Sequence, residues 1–220
     1  MQAYRTRAVE VNAQNTGVYG IKRPCSFVQN LHDFDTTKRF PPDIMHDLLE
    51  GVLPLTTRLV LAHFVQVRQL EEVNKVLVEL DLAHAGNKPN KLNATSLSSH
   101  ITGTAAQTLE LFLLLPRLLG HFVGLHTQNN VWIAYLYLRE ICDVVLAPVV
   151  DADMLTLLDD LACRYLSPHA EVFGRNSIIP KNHYTVHYAY HLSLFGPLRH
   201  MCCMRFEAKY RYFQKCTCSI

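Results

Sequence analysis

The sequence predicts a mainly α-helical protein, and two observations support that prediction. Apolar residues recur about every 3.6 positions through most of the chain after residue 41, which is the period of one helix face. No pair of segments alternates apolar and polar residues as neighbouring strands do, and no internal repeat is present. The pattern therefore favours helices joined by short loops.

The composition is typical of a globular protein. Hydrophobic residues make up 49% of the 220 residues and charged residues 18%, which excludes a disordered chain and allows a buried core. A formal net charge of +2 does not by itself indicate a nucleic-acid partner. Seven cysteines, without an apolar leader ahead of them, predict reduced thiols rather than disulfides. Charges or proline interrupt both long apolar segments, so we expect no membrane span.

The first predicted helix begins at Asp43. Residues 1–40 are irregular, and the pair of prolines that follows them ends one segment and sets up the next. Gly51 and Pro54 predict a kink or a restart near Pro54. The apolar face of this helix consists of Ile44, Leu48, Leu55 and Leu59.

Six further helices are expected. One begins at Pro180, in the favoured first-turn position, and a Gly–Pro pair ends it at 196–197. Pro116 should kink another. Residues 84–100 and 169–180 predict loops, because they are rich in small polar residues, glycine or proline. The other helices are expected at 70–82, 104–124, 130–147, 153–166 and 201–215.

A first polar cluster lies at the start of the first helix. At 100° per residue, Asp43, His46, Asp47 and Glu50 fall within an arc of about 100°, opposite the apolar face. One interpretation is a solvated helix start, with Asp43 as N-cap and His46 paired with Glu50. The other is a metal site, which needs ligands from a second segment because one helix cannot complete it.

A second cluster is formed by histidines. His183, His187 and His191 recur at i, i+4 and i+8, so they should share one helix face. The first two form a candidate zinc pair, with Cys202 and Cys203 as thiolate ligands, although the short paired cysteine spacing of known zinc motifs is absent. The alternative is a packed helix whose histidines bond neighbouring groups.

The third cluster is the basic C-terminal segment, in which Glu207 is the one acidic residue. Either Glu207 pairs with Arg211 at i,i+4, or it is a nuclease-type metal ligand among cations that hold phosphates. An aromatic stripe of Phe206, Tyr210 and Phe213 predicts a core face. The cations are Arg199, Arg205, Lys209, Arg211 and Lys215.

Six blocks, in this order, resemble the CACTA/EnSpm-like DDE transposases and host proteins derived from them. The blocks span residues 19–215, nearly the whole chain, and DIMHDLLEG and MRFEAK are the most specific parts. They are YGIKRPCSFVQNLHDFD, PPDIMHDLLEGVLPL, TAAQTLELFLLLPRLLG, WIAYLYLREICDVVLAPV, PKNHYTVHY and FGPLRHMCCMRFEAKYRYFQK.

The resemblance implies an RNase H-like catalytic core with a helical insertion ahead of its last carboxylate. Asp43 and His46 then correspond to the family's DxxH element and Glu207 to the glutamate of the DDE triad. The family's chemistry is phosphoryl transfer with Mg²⁺ or Mn²⁺ held by carboxylates. On this interpretation the chain has an irregular core remnant (1–40), a helical region (41–196) and a terminal helix (197–220), with most core strands missing.

The departures from the family pattern concern catalysis. The first two aspartates of the triad have no counterpart, since Asp33 and Asp35 lie too close to the DxxH element. Cys203 stands where the family often has Trp, and Asn182 where it has a second His. One carboxylate of three cannot hold two metals, so we expect an incomplete catalytic centre and no metal cofactor for this chain alone.

Three functional hypotheses follow. The first is a transposase fragment or domesticated derivative, nuclear by resemblance, that binds DNA through Arg205, Lys209 and Arg211 or associates with itself or a full-length transposase. The second is an all-helical interaction module without a nucleic-acid role, which uses exposed apolar surface. The third is an active metal-dependent nuclease that requires Glu207.

Overall fold

The structure, a computed structural model, describes residues 40–80, 87–124 and 128–217, with side chains described as far as residue 210. The chain divides into two compact units, Met1–Pro41 and Pro42–Ile220. The second unit is mainly helical and has no strand among its described residues, which confirms the mainly α prediction. Residues 1–39 of the predicted core remnant lie outside the described residues, and the boundary at residue 196 stays a prediction.

The second unit begins with a π-helix, Met45–Val52, which runs directly into α1 (Leu53–Phe64). Four short 3₁₀ turns, Val67–Gln69, Arg175–Ser177, Thr185–His187 and Leu198–Met201, join later helices. The remaining α-helices are α2 (Leu70–Glu79), α3 (Ala94–Ser98), α4 (Ala105–Val123), α5 (Asn130–Val145), α6 (Ala152–Phe173), α7 (Pro180–Tyr184), α8 (Tyr188–Phe195) and α9 (Met204–Thr217).

One continuous apolar core holds these helices together. The most extensive helix contact joins α5 to α6, while α1 packs centrally against the π-helix, α3, α4 and α5. The core extends along the chain from Ile44 to Leu198, both fully buried. Each buried Leu or Ile contributes about 1.5–3 kcal/mol relative to an exposed position. Within the described residues, α9 makes no extensive contact with another element.

The first helix changes from π to α geometry without a break near Pro54, where the sequence predicts a kink or a restart. Leu53 N–H donates to the Leu48 carbonyl, five residues back, which is the π pattern, and α geometry takes over at Leu53. The predicted 100° spacing of the polar residues therefore does not hold between Met45 and Val52, because a π turn is wider than an α turn.

Pro116 provides the point at which α5 attaches to α4. A proline has no N–H, so the Phe112 carbonyl four residues earlier has no partner within the helix. The Tyr135 hydroxyl donates to that carbonyl at 3.0 Å, and Arg139 Nη1 donates to the Leu113 carbonyl at 2.9 Å and to Tyr135 at 3.1 Å. Burial raises the pKa of Tyr135 to about 12, although Arg139 opposes the shift.

Two sequence predictions about loops are wrong in part. α6 continues through Pro168 to Phe173, where a helix end at 166 and a loop were expected. It continues because Leu158, Leu161, Ala162, Tyr165 and His169 form one buried stripe, and tertiary packing outweighs local propensity. The predicted loop 84–100 contains α3, which Asn93 caps through a 3.0 Å bond from Ser96 N–H. In addition, α2 ends at Glu79 rather than at residue 82.

Among the described residues, no single helix is both long and apolar enough to cross a bilayer. Met45–Phe64 and Val67–Glu79 meet the length and composition requirements only as a pair, and the two are bent by 97°.

Replacing Tyr135 tests the bond to the carbonyl left by Pro116. Tyr135→Phe removes the donor and leaves the Phe112 carbonyl buried without a partner, so urea denaturation should show a loss of about 1–3 kcal/mol in unfolding free energy. Pro116→Ala restores an N–H for that carbonyl, so Tyr135→Phe should cost less in this background. Tyr190→Phe, at a residue that is 46% exposed, is the control. Equal costs in both backgrounds would contradict the assignment.

The burial of His169 predicts that the protein loses stability in mild acid. It is fully buried between the rings of Tyr165 and Phe173, with centroids 5.3 and 5.0 Å away. Burial lowers its pKa below the usual 6.5, and the nearby Ser177 backbone only partly opposes this shift. Neither ring nitrogen has a hydrogen-bond partner among the described residues. The unfolded chain therefore takes up a proton below pH 6.5 that the folded chain does not, and stability falls as the pH drops. Urea midpoints at pH 7.5 and 5.5 should differ more for the wild type than for His169→Phe, and equal differences would refute this.

Candidate functional site

The DxxH element forms a small hydrogen-bonded unit at the start of the π-helix. Asp43 Oδ1 accepts the Met45 N–H at 3.1 Å, which fixes the first turn in the manner of an N-terminal cap. Asp43 Oδ2 lies 2.6 Å from His46 Nδ1. His46 therefore pairs with Asp43, three residues earlier. It does not pair with Glu50, the partner that the helix-start interpretation proposed. The imidazole itself is exposed.

Cys203, from the turn just before α9, completes this unit. Its N–H donates to Asp43 Oδ1 at 3.2 Å, and its Sγ lies 3.4 Å from His46 Nδ1. The same Sγ lies 3.4 Å from the Met45 sulfur. The ligand atoms of Asp43, His46 and Cys203 all lie within 4.8 Å of one another. Segments about 160 residues apart in sequence thus meet here.

Glu207 lies one turn further along α9, close enough for its charge to act on the cluster. The hydrogen bond with Asp43 is the main cause of the raised pKa of His46, partial burial opposes it, and the charges of Asp43, Glu50 and Glu207 add to it. The two sequence motifs that the resemblance associates, DxxH and MRFEAK, are therefore neighbours in space. Their catalytic role stays a prediction.

The cluster holds Asp43 as a carboxylate and Cys203 as a thiol. Burial is the largest influence on the pKa of Asp43 and would raise it, but hydrogen bonds from Cys203, His46 and the Met45 N–H lower it overall. Burial, helped by the hydrogen bond with Asp43, raises the pKa of Cys203 to about 12. A Cys–His–Asp relay needs the thiol and the carboxylate at opposite ring nitrogens. Here both lie at Nδ1 of His46, so the arrangement is not that of a cysteine nucleophile.

The donor set does not fit the Mg²⁺ or Mn²⁺ pair that the resemblance implies. Mg²⁺ requires several oxygen ligands in octahedral geometry, whereas the donors gathered here are a carboxylate, an imidazole and a thiol. Both oxygens of Asp43 already accept hydrogen bonds. Burial raises the pKa of the nearby Asp47 carboxyl, and the positive charge of Lys181 partly opposes this rise.

Lys181 supports the π-helix from the side. Its Nζ donates to the His46 carbonyl at 2.6 Å, and the stem passes over Gly51. A Cβ at Gly51 would overlap the Lys181 side chain and lie 3.2 Å from the His46 carbonyl. A larger residue at position 51 would therefore displace the lysine side chain.

The candidate zinc pair His183 and His187 lies on the surface. Their Nε2 atoms are 3.0 Å apart and the rings meet edge to face. His191 does not continue the row, because the 3₁₀ turn Thr185–His187 changes the spacing, and it stacks on Phe195 instead. Cys203 lies with Asp43 and His46, and the described residues offer no third ligand to the histidine pair.

The predicted phosphate-binding residues line a cleft of about 800 Å³ beside α9. Arg205 and Lys209 contribute to it, together with Arg199 and His200 from the preceding turn, and its lining contains no acidic residue. Arg211 lies on α9, but its side chain is outside the described part. Ile44, Leu49, Leu109, Leu146, Pro148, Cys202, Met204 and Phe206 form the rest of the cleft.

The predicted aromatic core face of the terminal helix is wrong for its described members. Phe206 is 72% exposed and Tyr210 is 61% exposed, while the Phe213 side chain lies outside the described residues. The spacing alone suggested a buried face, but no other described helix packs extensively against α9.

Sequence reasoning missed Cys203 as a partner of the DxxH element and Lys181 as its support. The available signal for Cys203 was its position four residues before Glu207, one turn away. Lys181 gave no signal, because its partner is a backbone carbonyl.

Comparisons of the chain with protein-family models, curated protein sequences and solved structures found no match. The resemblance to DDE transposases therefore stays an interpretation of the sequence.

Gly51→Ala tests the support that Lys181 gives. The added methyl group displaces the lysine from the His46 carbonyl, which removes a hydrogen bond of about 0.5–1.5 kcal/mol. Gly120→Ala in α4 is the matched control, because its Cβ meets nothing within 4 Å and the better helix propensity adds up to about 1 kcal/mol. Both variants gain this propensity, so urea denaturation should place Gly51→Ala about 0.5–1.5 kcal/mol below the control.

The same substitution in a Lys181→Ala background should lose that penalty. A Gly51→Ala variant as stable as Gly120→Ala in the wild-type background would rule out the proposed overlap.

Proposed function

We propose that this chain is a derivative of a DDE transposase that binds DNA through the basic cleft beside α9 and does not itself transfer phosphoryl groups. The observation that carries the proposal is the lining of that cleft: Arg199, Arg205, Lys209 and His200 lie together, with no carboxylate among them. Such a surface neutralises phosphates without regard to base sequence.

The geometry of the cations supports phosphate binding. Arg205 and Lys209 are exposed and four residues apart on α9, so they point the same way from one helix face. Arg199 is anchored across the cleft by a 3.2 Å bond from its Nη1 to the Leu146 carbonyl. A guanidinium held in place loses less side-chain entropy when it meets a phosphate.

The exposed aromatic residues favour a single-stranded or locally opened DNA. Phe206 and Tyr210 lie on α9 next to Arg205 and Lys209, and both rings are accessible. Aromatic rings beside a basic groove stack on unpaired bases, at about 1–3 kcal/mol per base. A transposon end presents DNA of this kind during strand exchange. The proposed location is the nucleus, because the proposed partner is DNA.

We propose that the chain does not catalyse phosphoryl transfer because of the donor atoms gathered around Asp43. Two-metal phosphoryl transfer needs several free carboxylate oxygens around the same point. The donors around Asp43 are one carboxylate, an imidazole and a thiol, which is not the set of oxygen ligands that two Mg²⁺ ions require. Glu207 alone does not supply the remaining ligands. The chain would thus bind DNA without cleaving it. It would do so alone or together with a full-length transposase as partner.

The exposed aromatics also support the second candidate, an interaction module with no nucleic-acid role. Phe206, Tyr210 and the partly exposed Met201 form apolar surface at the same end of the unit. A protein partner or a second copy would cover this surface by burial of apolar area. The two candidates differ in their salt dependence, because hydrophobic contact is not weakened by salt as phosphate contact is.

Removing two cations from the cleft should weaken DNA binding and flatten its salt dependence. We expect Arg205→Gln with Lys209→Gln to lower the slope of log K against log salt by about 1.4 for a single-stranded oligonucleotide, since each lost contact contributes about 0.7. Fluorescence anisotropy at a series of salt concentrations measures this. Arg68→Gln with Lys75→Gln makes the same charge change at exposed positions outside the cleft and should keep the wild-type slope.

Equal effects of the two double variants, or binding that does not respond to salt, would refute the DNA proposal. Absence of DNA binding with concentration-dependent self-association by light scattering would favour the interaction module. Mg²⁺-dependent nicking that disappears in Glu207→Gln would overturn the proposal that the chain is non-catalytic.

A further inference from the structure

How α9 is attached to the rest of the unit is a separate matter from DNA binding. α9 carries part of the basic cleft, and no described element contacts it extensively, although Met204 at its start packs against the apolar core. Its described polar connections to the start of the unit pass through Cys203, which meets Asp43 and His46. A hydrogen bond to a charged group contributes about 1.5–3 kcal/mol, which is less than a metal bridge between the same groups can supply. A stronger link at this point would fix α9 much more firmly.

The three side chains at this junction are metal ligands of one particular class. Thiolate and imidazole favour zinc, copper and other late first-row ions over Mg²⁺ or Ca²⁺, which prefer oxygen. A carboxylate is a common third ligand of zinc. The set therefore differs from the all-oxygen set of the metals expected by resemblance.

The sulfur-to-nitrogen distance suits a tetrahedral ion. With Zn–S of about 2.3 Å and Zn–N of about 2.0 Å, tetrahedral geometry separates sulfur and nitrogen by about 3.5 Å. Cys203 Sγ and His46 Nδ1 are 3.4 Å apart. The 2.6 Å between His46 Nδ1 and Asp43 Oδ2 is a hydrogen bond, and a bound ion would open it to about 3.4 Å. Side-chain rotation supplies such a change, because the imidazole is exposed.

Neighbouring groups orient the ligands before any ion arrives. Asp43 Oδ1 accepts the N–H groups of Met45 and Cys203, which leaves Oδ2 directed toward His46. Lys181 holds the backbone carbonyl of His46 at 2.6 Å. Outer contacts of this kind fix ligand orientation and are part of the affinity of metal sites.

We propose that Asp43, His46 and Cys203 bind one divalent ion of the zinc class, which fastens α9 to the π-helix. The Cys203 thiol gives its proton to solvent on binding, and water takes the fourth position beside the exposed imidazole. The site is independent of the DNA proposal, because none of its three ligands lines the basic cleft.

Co²⁺ titration of the full chain, under reducing conditions and after removal of metals, tests the site. Thiolate coordination gives a sulfur-to-cobalt charge-transfer band in the near ultraviolet, and tetrahedral geometry gives visible bands; Zn²⁺ should displace both. We expect one ion per chain, loss of the charge-transfer band in Cys203→Ser, and at least tenfold weaker binding in His46→Gln and Asp43→Asn. A hundredfold excess of Mg²⁺ should not compete.

The control variants exclude other ligands. Cys163→Ser changes an exposed cysteine outside the cluster, and His183→Gln changes the surface histidine pair; both should bind Co²⁺ as the wild type does. Cys25→Ser and Cys216→Ser with Cys218→Ser should also leave the bands unchanged. Circular dichroism verifies that each variant is folded.

A second measurement reports the fastening itself. Zn²⁺ should raise the melting temperature of the wild type and protect α9 amides from hydrogen exchange, and it should do neither in Cys203→Ser. Bands that persist in Cys203→Ser, bands that disappear in a control variant, or metal binding without protection of α9 would each overturn the proposal. Loss of DNA binding in the cleft variants would leave this result unchanged.

Discussion

The carboxylate of Asp43 is the interaction on which the rest of the site depends. Oδ1 accepts N–H groups from Met45 and from Cys203, which lies 160 residues further along the chain, and Oδ2 positions His46. These hydrogen bonds, together with the packing of Met204 against the apolar core, fix the start of α9. An acidic residue in the first turn of a helix commonly stabilises the helix start and nothing more. Asp43 also accepts a hydrogen bond from Cys203 and positions His46.

Much of the helical fold could be predicted from local signals. Thr104 with Gln107 and Pro180 mark helix starts, and Gly196, with φ 73°, marks an end; these signals act over a single turn. The continuation of α6 through Pro168 could not be predicted. It depends on the burial of Tyr165 and other residues against helices that are distant in sequence, and no local rule contains that information.

The candidate site was predictable to a similar degree. Spacing suggested that His46 pairs with Glu50, whereas the Asp43–His46 pair and its closeness to Glu207 were indicated by the family resemblance rather than by periodicity. Cys203 was assigned to the wrong histidines, because sequence spacing does not say which turn meets which helix. The exposure of Phe206 was missed for the same reason: a stripe of aromatic residues is buried only where another element covers it.

The π-helix makes the geometry of this junction depend on how the segment Met45–Val52 is wound. A π turn is wider than an α turn, so a change from π to α winding would alter how Asp43 is presented relative to α1. The meeting of Asp43 with Cys203 therefore depends on the backbone path of these eight residues as well as on the identity of the two side chains.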